Sequence, residues 1–198
     1  ILSDVNYVFD AQKITCLKGQ SGSGKSITAQ LIISLFTPQK GTIRIDGIEV
    51  GQFEKSYLRK NILYINQIDN MFEETVIFNM LYGIEEDMVE NKKIQLNNML
   101  KKYNLESLYA TIGGIEADVG VNGTNLSTGM KKVIMILRGI LKPRPAIYIF
   151  DEPTAGLDQS TAFKVINLIK TECKNKTVII ITHSDTVTDL CQNVITVS

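Results

Sequence analysis

The sequence predicts an α/β fold: a mostly parallel sheet flanked by helices, with a small antiparallel β part near the N-terminus and an inserted helical lobe. Short, almost wholly apolar runs such as Ala146-Ile-Tyr-Ile-Phe150 and Val178-Ile-Ile-Ile-Thr182 alternate with segments of helical spacing, the pattern of strands buried on both faces. A Gly/Ser-rich loop at 19–26 stands between a strand pattern and a helix pattern. The chain has 198 residues, 44% hydrophobic and 21% charged, the composition of one ordinary globular domain.

Taken in order, Val5, Tyr7 and Phe9 alternate with Asn6, Val8 and Asp10, a half-buried strand pattern, and 13–18 reads as a second strand ending at Gly19. From 25 to 36, Ile27, Leu31, Ile32 and Leu35 recur at helical spacing until Pro38 and Gly41 end the element. Residues 42–50 read as a hairpin turning on Asp46-Gly47. A short apolar strand at 62–66 ends at Gln67, after which 75–103 leans helical. There Leu96, Met99, Leu100 and Tyr103 form a stripe that reads as the core of a helical lobe. Beyond glycines 113, 114, 120 and 123, a helix over 127–141 is halted by Pro143 and Pro145. Strand 146–150, helix 161–170, strand 178–182, a short helix and a strand near 194–197 complete the chain. The expected division is a core of about 1–70 and 144–198 with a lobe of about 71–143.

Twenty-one Lys and Arg balance 21 Asp and Glu, so no overall field draws the chain to nucleic acid or anionic lipid. The longest apolar runs, such as 133–137, fall far short of the roughly 18 residues of a membrane span. With no signal-peptide pattern visible, the expected compartment is the cytosol. Cys16, Cys173 and Cys191 lack disulfide or zinc spacing and read as reduced core thiols.

Gly19-Gln20-Ser21-Gly22-Ser23-Gly24-Lys25-Ser26 matches the phosphate-binding P-loop, with a strand before it and a helix after it, and so predicts a P-loop NTPase. Glycines let backbone N–H groups wrap a phosphate, the helix N-terminus adds partial positive charge, and Lys25 can bridge the β- and γ-phosphates. Ser26 supplies a hydroxyl for Mg²⁺. Asp151 ends an apolar strand, which puts it at the C-terminal edge of a parallel sheet, where such folds bind ligands. Adjacent Glu152 points elsewhere and can orient a water while Asp151 serves the metal.

Further residues narrow the class. Leu126-Ser127-Thr128-Gly129-Met130, followed by Lys131, Lys132 and Arg138, resembles the signature motif of ATP-binding cassette (ABC) ATPases. Gln67 resembles their Q-loop, Asp151-Glu152-Pro153 their Walker B end, Ala155-Gly-Leu-Asp158 their D-loop, and His183 their switch histidine. These occur in family order across nearly the whole chain. Residues 72–83 and 118–123 are similar to exporter-type cassettes, although Val121 stands where those usually carry Glu. Thr128 replaces a Gly and Met130 a Gln in the signature, and Ile27 stands where the family commonly has Thr after the P-loop Ser26. Ser127 can still cap its helix. No residue is assigned to the family's adenine-stacking aromatic.

The resemblance implies a head-to-tail pair of cassettes sandwiching two ATP molecules. Residues 19–27 would hold the nucleotide, and Ser127, Gly129 and Asp158 would face the partner's nucleotide. Ser26, Gln67 and Asp151 would hold Mg²⁺, and catalysis would draw on Glu152, His183, Gln67 and Lys25. It implies an ATPase subunit or excised domain of an exporter at the cytoplasmic face of a membrane. Its partners would be transmembrane domains and a second ABC domain, with no nucleic acid expected. Two other readings share the motifs: a soluble ABC ATPase acting on DNA or ribosomes, and a binding-only cassette whose altered signature leaves ATP uncleaved.

Overall fold

The computed structural model describes the chain apart from Ile1, Ile68, Asp69, Arg144, Leu190 and Ser198; Arg144, at an expected boundary, therefore lies outside the described residues. The strands are β1 (Ile14–Gly19), β2 (Arg44–Ile45), β3 (Ile48–Glu49), β4 (Ile62–Ile65), β5 (Ile147–Asp151), β6 (Thr177–Thr182) and β7 (Asn193–Val197). The α-helices are α1 (Lys25–Ile32), α2 (Lys55–Asn61), α3 (Val76–Leu81), α4 (Val89–Lys102), α5 (Thr128–Leu141), α6 (Gln159–Glu172) and α7 (Asp185–Thr188). The expected class is found: a parallel sheet flanked by helices, with a small antiparallel sheet beside it in the chain.

Contacts divide the chain into two compact units, one of Ile1–Ile65, Arg144–Glu152 and Asn175–Ser198, the other of Asn66–Pro143 and Pro153–Lys174. The first holds the five-stranded sheet, ordered β4-β5-β6-β1-β7 with every pair parallel. All five strands therefore release their following residues at one edge. Their Val- and Ile-rich sequences suit burial between layers. Leu17, Ile149, Ile179, Ile181 and Val197 pack with Ala29 and Ile32 of α1 and Leu58 of α2 in one apolar cluster. β2 and β3 form the expected hairpin, whose turn residues Asp46 and Gly47 take φ of 50° and 82°, the left-handed pair of a two-residue turn.

The second unit is built on α3, α4, α5 and α6. Leu96, Met99, Leu100 and Tyr103 are buried, as the stripe predicts, and α5 buries nine of its residues. Tyr109 is buried and donates its hydroxyl to the Met130 carbonyl at 3.0 Å.

Four expectations need correction. Residues 5–10 form no strand; Tyr7 and Phe9 pack half-buried against the first unit's core while Val5 and Val8 are exposed. Alternation supplies an apolar face, but a strand also needs a neighbouring backbone to pair with. α1 stops at Ile32 rather than 36, because Ser34 takes φ 58° and Leu35 N–H turns back to the Gln30 carbonyl at 2.9 Å, a left-handed helix stop. Residues 153–174 group with 66–143 rather than with the core, since α6 packs on α5. Cys16 and Cys173 are buried and in no disulfide, whereas Cys191 is only half-buried.

Candidate functional site

The loop that follows β1 is shaped by its glycines. At Gly19 an added Cβ would lie 2.5 Å from the Val197 carbonyl oxygen and 2.7 Å from Ser23 Oγ, so β7 and the loop close around a residue that has room for hydrogen alone. Gly24 takes φ 96°, left-handed, and opens α1. Ser23 N–H donates to the Gln20 carbonyl at 3.2 Å, while Gln20, Ser21, Gly22 and Ser26 face solvent and Ile27 is half-buried. Lys25 is 8% exposed, and its Nζ donates to the Gly19 and Gln20 carbonyls at 2.7 Å each. Of three ammonium hydrogens, one is left for a phosphate oxygen. The first N–H groups of α1 have no partner within the helix. Together these leave a lysine hydrogen and the first helix N–H groups as donors at the loop, the kind of groups that suit an anion.

Two strands along the same sheet edge, β5 ends in Asp151, 4% exposed, whose Oδ2 accepts a hydrogen bond from the Tyr64 hydroxyl at 2.9 Å. Burial, then the Asp151 charge, push the Tyr64 hydroxyl well above its ordinary pKa, so it stays a donor. Glu152 leaves the strand at φ 51° while its N–H still bonds the Ile181 carbonyl at 2.9 Å. A left-handed glutamate is costly and recurs where the surroundings impose it at functional sites. Its Oε1 lies 2.8 Å from His183 Nδ1 and its Oε2 accepts from Thr182 Oγ1 at 3.3 Å. P-loop, Asp151, Glu152 and His183 thus share the C-terminal edge of one sheet within one unit.

The other expected residues lie in the second unit. Gln67 follows β4, and its carbonyl accepts from Nζ of Lys132, a lysine of α5 only 2% exposed, at 3.3 Å. Ser127 caps α5 as expected, its hydroxyl accepting from Met130 N–H at 3.2 Å. Thr128 is absent from the positive-φ positions, so its β-branch meets no left-handed backbone here. A Cβ at Gly129 would lie 3.1 Å from Leu157, and one at Gly156 would lie 3.2 Å from the Thr128 methyl carbon; signature and D-loop are therefore in contact. Asp158 caps α6 by accepting from Thr161 N–H at 3.0 Å, and its hydrogen bonds to Thr161 hold the carboxyl below the usual range. Val121 is exposed.

Sequence reasoning missed a buried network between α5 and the segment around α3. Arg138 of α5 donates to the Asn79 carbonyl at 2.6 Å and to Asn79 Oδ1 at 2.9 Å, with its guanidinium 5.7 Å from the Phe72 and Tyr82 ring centres. Asn79, fully buried, donates in turn to the Phe72 and Thr75 carbonyls at 3.0 Å. The available signal was a polar residue inside the apolar face of α3. Tyr64 and Thr182 gave none, because each stands where an apolar strand residue would serve equally well.

A sequence model of the family described as ABC transporter matches residues 2–155. The chain is 31% identical over 188 residues to "ABC transporter ATM1" of Toxoplasma gondii, covering 92% of this chain and 16% of that protein. It is 34% identical over 185 residues to "ATP-dependent lipid A-core flippase" of Burkholderia thailandensis, covering 92% and 30%. The solved structure of a bacterial Atm1-family ABC exporter with ATP bound superposes at a TM-score of 0.84 and 25% identity, over 96% of this chain and 33% of that one. The chain thus spans a third or less of these proteins. By the family match and the order of its motifs, the chain belongs to the ABC transporter family.

Proposed function

We propose that the chain is the ATP-binding and ATP-hydrolysing domain of an ABC exporter, driving transport through Mg²⁺-dependent closure onto a second cassette. The observation that carries this is the Glu152–His183 contact at 2.8 Å on the sheet edge that also bears the P-loop. The 19–26 loop binds the β- and γ-phosphates through backbone N–H groups and Lys25. Glu152 accepts the proton of a water attacking the γ-phosphate in line, and His183 steadies that carboxylate and meets the developing charge. Ser26, Gln67 and Asp151 would hold Mg²⁺, which neutralises phosphate charge when bound. Ser127, Gly129 and Asp158 would complete the partner's site rather than this chain's own.

No helix among the described residues is long and apolar enough to cross a membrane. In this proposal, membrane-spanning domains, in the same polypeptide or in a separate subunit, carry the substrate path and hold the domain at the cytoplasmic face. The exporter reading is supported by the names of the relatives and of the solved structure.

Phosphate release from ATP, with and without Mg²⁺, tests the proposal. Glu152→Gln should lower turnover by roughly 10²–10⁴ while ATP binding persists, since the amide keeps the shape and loses the basicity. Lys25→Ala should lose several kcal/mol of transition-state stabilisation. Unchanged release by Lys25→Ala would refute the assignment.

A further inference from the structure

The register of the sheet sorts the two adjacent carboxylates. β4 pairs with β5 so that Tyr64 lies beside Ile149, and β5 pairs with β6 so that Asp151 lies beside Ile181. Residues two apart on a strand share a face, and neighbours across a parallel pair share it too. Tyr64, Ile149, Asp151 and Ile181 are therefore on one face, and Thr182 is on the other. The long Tyr64 side chain spans the step from Ile149 to Asp151 and meets the carboxylate at 2.9 Å.

On the opposite face Thr182 is fully buried. Its Oγ1 accepts from Ser184 N–H at 3.0 Å and donates to Glu152 Oε2 at 3.3 Å. A hydroxyl has a single proton, and the amide at its lone pair leaves that proton directed at Glu152. His183 holds the other oxygen of the same carboxylate. Each carboxylate of the Asp151-Glu152 pair thus receives a hydroxyl from a different flanking strand.

We propose that Tyr64 and Thr182 are positioning residues: the hydroxyl from β4 orients Asp151 for the metal, and the hydroxyl from β6 fixes Glu152 as the base. This rests on the roles given to Asp151 and Glu152 above. Neither hydroxyl touches the nucleotide in this scheme; each acts by limiting the rotamers of the carboxylate it meets. A mispointed base lowers turnover without changing substrate affinity, and a hydrogen bond to a charged group is strong enough for its loss to be measurable.

The test compares the full chain with Thr182→Val, Thr182→Ser and Tyr64→Phe, reading steady-state phosphate release at high protein concentration and ATP binding by calorimetry in chelator and across a Mg²⁺ titration. Thr182→Val should lower kcat about tenfold or more with KM for ATP unchanged, and Thr182→Ser should recover most of the loss by restoring the donor. Tyr64→Phe should raise the Mg²⁺ concentration for half-maximal binding roughly three- to tenfold while binding in chelator stays the same. Wild-type turnover in Thr182→Val, a loss that Ser does not recover, or an unmoved Mg²⁺ midpoint in Tyr64→Phe would overturn the proposal. A wild-type chain that neither binds nor hydrolyses ATP would instead remove the underlying functional reading, and this proposal with it.

Discussion

His183 Nδ1 and Glu152 Oε1 meet at 2.8 Å, yet the two side chains differ sharply in setting: that of His183 is 72% exposed and that of Glu152 only 13%. The imidazole reaches in from solvent to a carboxylate held by the sheet. Replacing an exposed ring should barely disturb the fold, so His183→Ala is expected to stay within about 0.5 kcal/mol of wild-type stability. Turnover should nonetheless fall by roughly 10²–10⁴, because the base loses a partner. Chemical denaturation beside phosphate release checks both halves; a large stability loss would make the contact structural rather than functional.

Gly19 tests the shape of the phosphate loop. Its missing Cβ would sit 2.5 Å from a backbone oxygen of Val197, which a flexible side chain could yield to but a sheet strand cannot. Gly19→Ala should destabilise the protein by about 1–3 kcal/mol, as overpacking does, and weaken ATP binding by displacing the loop. Gly22→Ala differs: nothing lies near its Cβ, and the obstacle is φ 83°, so it should act through backbone strain alone. Urea melts and nucleotide titrations of both variants separate the two causes.

Asn79 joins the segment after Gln67 to α5 through Arg138. Asn79→Ala strands the buried donors and acceptors it serves, and each such group costs about 1–3 kcal/mol. The expected result is a lower urea midpoint with the m-value kept. Asn79→Asp, which preserves acceptance from Arg138 but not donation to Phe72 and Thr75, should fall between.

The altered signature predicts an assembly defect. Thr128 adds a β-branched side chain where the family has Gly, at the helix end that would face a partner's γ-phosphate. Since Thr128 shows no left-handed φ, the cost would arise on closure and not in the isolated chain. Thr128→Gly with Met130→Gln, made in the Glu152→Gln background, should raise ATP-dependent dimerisation in size-exclusion chromatography. An unaltered signature that already dimerises fully with ATP would show the changes to be silent.

Much of the molecule is legible in one dimension because its signals are local. Val178–Thr182 is apolar without alternation, which suits a strand buried on both faces, and the left-handed turn at Gly24 that opens α1 is marked by the glycine itself. The stripe of Leu96, Met99, Leu100 and Tyr103 likewise encodes a buried helix face by spacing alone. Where evidence depended on a distant partner, local reading failed. Residues 5–10 carry a strand's alternation but pair with no strand, and 153–174 follow β5 in sequence yet group with α5.

The same physics divides the site. Asp151, Glu152, Lys25 and His183 are readable as candidates because the proposed chemistry calls for those residue types at strand ends and in a glycine loop. Their geometry was decided only in three dimensions: Glu152 in a left-handed conformation, His183 on one of its oxygens, Thr182 on the other, Tyr64 on Asp151. Hydrogen bonds between strands depend on register, and register is set by the whole sheet packing at once. Sequence alone therefore named the groups proposed to meet a nucleotide, and tertiary structure decided which neighbour holds each of them.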